Sequence, residues 1–198
     1  MRYFPEPDPI LNVFSLDPGT TNLGLANIKY NLKTRTILSV WAHTLNSDKL
    51  PHINEFDSEN HTERAERIYR LSVCTIKYME WFNPHILVCE APFFNRMRPG
   101  AYSALVECIT TLRLCINNVR PDLPFNLIEP SLIKKMVGAY LIAKKDSVKD
   151  QVREAVLSKP ELTSVMNLDN RLYNSAYDLD EHSIDAIAIG YSYLKLNI

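Results

Sequence analysis

Two short, mostly apolar runs, each stopped by a carboxylate, constrain what this chain can fold into. Residues 12–16 (NVFSL) end at Asp17-Pro18-Gly19, and residues 85–89 (HILVC) end at Glu90. Runs of this length are too short for a stable helix. Apolar side chains at both odd and even positions mark a strand covered on both faces. Such strands need helices above and below them. The rest of the chain supplies these. Residues 62–83 carry Ala65, Ile68, Leu71, Thr75, Ile76 and Met79 at helical spacing, with Thr62 as N-cap and Asn83-Pro84 as stop. Residues 101–119 carry Ala104, Leu105, Cys108, Leu112 and Cys115 on one face, and residues 181–194 carry Ile184, Ala188 and Tyr191. Shorter helices are predicted at 130–137, opened by Pro130, and at 147–157, capped by Asp146 or Ser147.

Residues 23–30 and 35–43 are β-rich and joined by a short polar link, as in an antiparallel hairpin or meander, and residues 125–128 form a further short strand. Residues 44–61 and 158–179 are polar and read as irregular. The order β-β-β-α-β-α-β-α, ending in a helix and without repeats or a linker, predicts one α/β domain over residues 1–198, with residues 1–11 as an N-terminal tail.

Composition narrows the function. With 46% hydrophobic and 10% aromatic residues in 198, the chain is too apolar for a disordered one, and it has no run of roughly 18 apolar residues to span a bilayer. No membrane partner is expected. Met1–Asp8 lacks the basic-then-apolar order of a signal peptide. The four cysteines form no CxxC pair and sit in apolar stretches. This predicts reduced thiols in an intracellular, cytoplasmic setting rather than a zinc site. A net charge of −1 argues against indiscriminate nucleic-acid binding, but the charge is unevenly spread. Residues 134–159 hold seven Lys/Arg (Lys134, Lys135, Lys144, Lys145, Lys149, Arg153, Lys159) against three acids, while residues 161–198 hold six acids against two bases. These are either two solvated faces or a phosphate-binding surface beside a cation site.

Three acids stand among apolar neighbours: Asp17, Glu90, and Asp185 within Ile184-Asp185-Ala186-Ile187. A carboxylate so placed costs several kcal/mol unless a cation or hydrogen bonds compensate. One such acid is ordinarily a cap or half of an ion pair. Three, two of them at matching strand ends, point to a site. His182 lies three residues before Asp185 on the same predicted helix face, with Glu181 and Asp185 as an alternative pair. Oxygen donors with one imidazole suit Mg²⁺ or Mn²⁺ better than zinc. Two such ions about 4 Å apart activate water and stabilise the leaving oxygen of a phosphodiester.

Taken in order, the stretch from Phe14 to Gly24 (FSLDPGTTNLG), then Leu87-Val88-Cys89-Glu90, then His182-Ser183-Ile184-Asp185-Ala186-Ile187-Ala188 resemble the motifs of RuvC-type Holliday junction resolvases, members of the RNase H-like nuclease superfamily. Residues 130–148, with Lys134 and Lys145 eleven apart, resemble the family's basic DNA-binding segment. The resemblance runs from about residue 12 to 194. It implies an RNase H-like fold, a central mixed five-stranded sheet flanked by helices. It further implies a catalytic tetrad of Asp17, Glu90, His182 and Asp185 binding two Mg²⁺, with Mn²⁺ able to substitute. Lys134 and Lys145 would contact DNA, as would Lys135 in the same segment and Lys149 just beyond it. Phe93 would stand near the junction crossover, with Phe94 as substitute, and Arg96 and Arg98 beside phosphate. The implied activity is structure-selective cleavage of four-way and other branched DNA by a homodimer. Residues 44–61 and 158–179 are longer than the family pattern, and the Asn-rich, glycine-poor composition points to a phage or viral branch. A non-catalytic junction-binding protein and an RNA-directed nuclease of the same fold remain alternatives. A sugar-kinase or actin-type phosphotransferase fits less well, for want of a second Gly-rich phosphate loop.

Overall fold

In the computed structural model, which describes residues 9–53, 61–94, 96–97, 99–141, 148–167 and 175–198, the first apolar run becomes β1 (Ile10–Asp17). It begins two residues before the expected run at Asn12, because Ile10 and Leu11, assigned above to the N-terminal tail, pair with Asn31 and Tyr30. β2 (Asn22–Asn31) and β3 (Thr36–Asn46) follow as an antiparallel meander. The second run becomes β4 (Ile86–Glu90), parallel to β1, and β5 (Phe125–Ile128) lies parallel to β4. The sheet order is β3-β2-β1-β4-β5, a mixed five-stranded sheet as expected. β1 and β4 occupy inner positions. Val13, Phe14, Leu16, Leu87, Val88 and Cys89 are fully buried there, which is why neither strand shows polar alternation.

Helices cover both faces. On one, α1 (Glu63–Phe82) and α2 (Pro99–Val119) bring Ile68, Leu71, Met79, Leu112 and Ile116 onto Phe14, Leu16, Leu23 and Leu25. The Thr62 hydroxyl accepts from Ala65 N at 3.2 Å, and Asn83 closes the other end of α1 in the left-handed conformation at φ 45°. Both expected ends of this helix are therefore in place. On the other face, α6 (Glu181–Asn197) packs with α3 (Pro130–Val137) and α4 (Val148–Leu157) over Val13, Ala26, Ile28 and Val88. Here the expectation of a single apolar stripe falls short. Ile184, Ala186, Ile187, Ala188, Ile189, Tyr191 and Leu194 are all buried, because α6 is enclosed by the sheet on one side and by α3 and α4 on the other. Each buried isoleucine contributes about 1.5–3 kcal/mol. Gly190 sets the approach distance: a Cβ there would lie 2.7 Å from Ser15 Oγ.

The two segments expected to be irregular hold structure that depends on distant partners. β3 runs three residues past His43, since Asn22 at the start of β2 pairs with Asn46, and their side-chain amides bond at 2.8 Å. A 3₁₀ turn, Ser47–Lys49, follows. The next residues fold over α1, where His52 Nδ1 meets Glu66 Oε1 at 2.8 Å and Arg70 donates to the Leu50 carbonyl at 3.4 Å. Glu66 and Arg70, which face away from the apolar stripe of α1, are buried by that segment. Later in the chain a short helix α5 (Pro160–Thr163) precedes a bridge between Met166 and Val40, and a 3₁₀ turn spans Ala176–Asp178. The N-cap candidates Asp146 and Ser147 lie outside the described residues. No described helix is long and apolar enough to cross a membrane.

Candidate active site

The site grows from the parallel pairing of β1 and β4. Leu16 is in register with Cys89, so the next residues, Asp17 and Glu90, end the two strands side by side. By the two-residue repeat of a strand, Asp17 shares the face of Val13 and Ser15, and Glu90 that of Val88. This is the face covered by α6. The first turn of α6 crosses these strand ends. His182 Nδ1 lies 2.8 Å from Asp17 Oδ2, the ring N–H donating to the carboxylate, and its Nε2 lies 3.7 Å from Glu181 Oε1. Asp185, one turn on, is half-buried and close enough to influence Glu90 electrostatically.

Two features let α6 come so near. A side chain at Gly24, the cross-strand partner of Asp17, would put its Cβ 2.1 Å from the His182 carbonyl oxygen and 3.1 Å from Asp17 Cβ. Only glycine leaves room. The second is a polar clamp. Asp180 Oδ1 accepts from Ser183 N at 2.8 Å, capping α6, and from Thr44 Oγ1 at 2.6 Å. The Ser183 hydroxyl lies 2.9 Å from Thr44 Oγ1. Sequence reasoning missed this clamp and assigned Thr44 to a loop. An aspartate one residue before a helix start was the available signal for Asp180.

The electrostatics record how tightly the acids are crowded. Burial, then the charges of Asp17 and Asp185, push Glu90 up to about 8 from 4.5, against the opposing pull of Lys134. The hydrogen bond to Asp17 holds His182 above the ordinary imidazole value, with partial burial opposing. Burial pushes Cys89 well up and Cys108 to about 12, so both are neutral thiols; all four cysteines are free. The oxygen and imidazole donors suit a hard divalent cation, whose charge would oppose the burial and the neighbouring carboxylates that raise Glu90. Among the described residues, no three His, Cys, Asp or Glu side chains are gathered closely enough to hold an ion as they stand. Asp17 is turned to the imidazole, so taking up an ion requires these side chains to draw together.

The remaining predicted residues fall into three groups. Lys134, half-buried in the last turn of α3, is the lysine whose charge is felt at Glu90, whereas Lys135 points to solvent. In the loop after β4, Phe93 is 62% exposed and Arg96 is exposed, while Phe94 packs edge-on against Tyr102 at 5.4 Å. Lys145 and Arg98 lie outside the described residues. Lys149 is in the first turn of α4, its side chain likewise outside them. A groove of about 580 Å³ opens beside His182, lined by Asn22, Thr44, Asn46 and Lys49 among others.

No protein-family model matches the chain, and no curated protein matches it either. Solved structures do. RuvC of Thermus thermophilus in complex with a Holliday junction substrate superposes with a TM-score of 0.59 at 15% identity, covering 94% of this chain and 97% of that one. The yeast mitochondrial Holliday junction resolvase gives 0.58 at 15% identity, covering 94% and 79%. Fowlpox virus resolvase, in complex with Holliday junction DNA, gives 0.55 at 15% identity, covering 94% and 98%. The likeness is one of fold, over nearly the whole chain.

Proposed function

We propose that this chain, built on the fold of the Holliday junction resolvases, is a divalent-metal-dependent endonuclease that cuts four-way and other branched DNA by hydrolysing a phosphodiester bond. The observation that carries the reading is the approach of Asp17, Glu90, His182 and Asp185, drawn from β1, β4 and α6, to one end of the sheet, with Asp17 bonded to His182 and Glu90 within electrostatic reach of Asp17 and Asp185. Scattered acids would serve as caps and ion pairs. Burial together with the charges of Asp17 and Asp185 raises Glu90, and a carboxyl perturbed in this way marks a candidate site.

These four residues would hold Mg²⁺ or Mn²⁺, two ions per site, which when bound supply water activation and stabilisation of the leaving oxygen. The chain's own groups do the rest. Asp17 fixes the orientation of the His182 ring through their hydrogen bond. Lys134 sets a positive charge at the edge of the carboxylate cluster, where a backbone phosphate gains most from it. Lys135 and Lys149, with Lys145 from the sequence, extend that attraction along the strand. Phe93 presents an apolar face to unstacked bases at a crossover, and Arg96 and Arg98 flank it for phosphate. A four-way junction has two-fold symmetry, so a homodimer presents one site to each of two strands. The free thiols suit the reducing, intracellular compartment in which we place the protein.

The test is cleavage of labelled four-way, three-way, flap, linear and RNA-containing substrates with and without Mg²⁺. Branched DNA is expected to be cut only with the metal. Asp17→Asn, Glu90→Gln or Asp185→Asn should abolish cutting while leaving junction binding within about twofold. An intact junction with the unaltered protein and Mg²⁺, or preferential cutting of the RNA-containing substrate, overturns the reading.

A further inference from the structure

On the sheet face opposite α6, at the C-terminal end of α1, a niche of about 230 Å³ opens against β2 and β3. Its floor is two adjacent cross-strand pairs, Asn27 with Trp41 and Lys29 with Ser39. Trp81 of α1 forms a wall and Asn167 closes another side. Asn27 shares the face of Leu23 and Leu25, which pack against α1 and α2, whereas Asp17 belongs to the face beneath α6. The niche is therefore separate from the acidic cluster and is not needed to explain it.

Three observations define what it fits. Asn27 is only 1% exposed, and its Oδ1 has no hydrogen-bond partner, although its Nδ2 reaches Asn12 Oδ1 at 3.4 Å. Buried acceptors are ordinarily satisfied, so an acceptor in want of a donor lies at the base of the niche, where the side chains around it must part for a donor to reach it. Trp41 is held among Phe82 at 4.7 Å and Tyr78 at 5.1 Å, while Trp81 is 70% exposed and keeps an indole surface free. Lys29 is exposed beside it, placing one positive charge in reach. The volume falls below the roughly 300 Å³ at which pockets for drug-sized molecules begin, so it suits a single ring system.

We propose that this niche binds a nucleobase, its ring or exocyclic N–H donating to Asn27 Oδ1, its face stacked on tryptophan, and its phosphate beside Lys29. Tryptophan accepts any base by its π-face, and a buried carbonyl rewards those with a donor on the inserted edge. The base comes either from a free nucleotide or from an unpaired position in a nucleic-acid strand.

Trp41 and Trp81 are the chain's only tryptophans, so tryptophan fluorescence, excited at wavelengths where the tyrosines do not absorb, reports on this niche. The full-length protein in EDTA is titrated with each of the four deoxynucleoside monophosphates, with a single-stranded oligonucleotide, and with inorganic phosphate. Saturable quenching by a nucleotide or the oligonucleotide, but not by phosphate, is expected. A response to monophosphates identifies free nucleotides as sufficient, and a response to the oligonucleotide alone identifies a base carried by a strand. Trp81→Ala and Lys29→Ala alter exposed side chains and should each weaken the response at least about fivefold, with Trp41 still reporting in the first. Asp17→Asn should leave it unchanged. No saturable quenching, equal quenching by inorganic phosphate, or insensitivity to both variants overturns the proposal. Junction cleavage measured on the same variants separates its failure from failure of the nuclease reading.

Discussion

Glu90 and His182 make the site a source of pH dependence in the metal-free protein. Glu90 keeps its proton up to about 8, where an unfolded chain would release it near the ordinary value of 4.5. The folded state therefore binds more protons across that window, and stability falls as pH rises through it. His182, raised by Asp17, works in the same direction: its contribution is complete below the unfolded imidazole value and is lost as pH passes the folded one. The expected outcome is a metal-free melting temperature that declines from pH 5 to 8. Glu90→Gln should flatten much of the decline. Carboxyl-resolved NMR should find Glu90 titrating near 8, and lower in Asp17→Asn. At this scale the acids were legible, because a carboxylate that ends an apolar run loses its hydration on burial and is stable there only beside a cation or a donor. The choice between Lys134 and Lys135 was not: both belong to one helical turn, and only the packing of α3 decides which approaches Glu90.

Among the elements, α6 decides whether the acids form a site at all. Its first turn must lie against the ends of β1 and β2, and Gly24 and the Thr44–Asp180–Ser183 clamp hold it there. Gly24→Ala forces a Cβ into the His182 carbonyl. It should cost about 1–3 kcal/mol in denaturant unfolding, as overpacking does. It should also lower cleavage more than junction binding, since the lysines are untouched. Unchanged stability and activity would mean that α6 is not held at this distance. The strands and long helices could be read from their periodicity. The extension of β3 to Asn46 could not, since its residues are polar and gain strand geometry only from pairing with β2.

At the scale of the whole molecule, the proposed function requires a chain with net charge −1 to approach DNA, and its uneven charge supplies a basic segment for that purpose. Acids of β1, β4 and α6 gather at the sheet end, and the basic residues of α3 border them. Binding to a junction should then depend steeply on salt. Lys134→Ala should weaken it and reduce the slope of log affinity against log salt concentration by about one. Fluorescence anisotropy across a salt series measures this, and an unchanged slope removes Lys134 from the interface. A homodimer in sedimentation, one per junction, belongs to the same proposal.

The alternation of buried-strand runs with helical spacing, and the standing of Asp17, Glu90, His182 and Asp185 as candidate site residues, were determined by the linear order of residues. Burial patterns repeat locally, and a misplaced carboxylate stands out wherever it occurs. Tertiary structure alone decided which strand ends lie together, that Gly24 opens the way for α6, that Glu66 and Arg70 are covered, and that Asn27 keeps an unpaired carbonyl beside two tryptophans. Each of these depends on contacts between residues far apart in the chain, and such contacts leave no periodic trace in a single sequence.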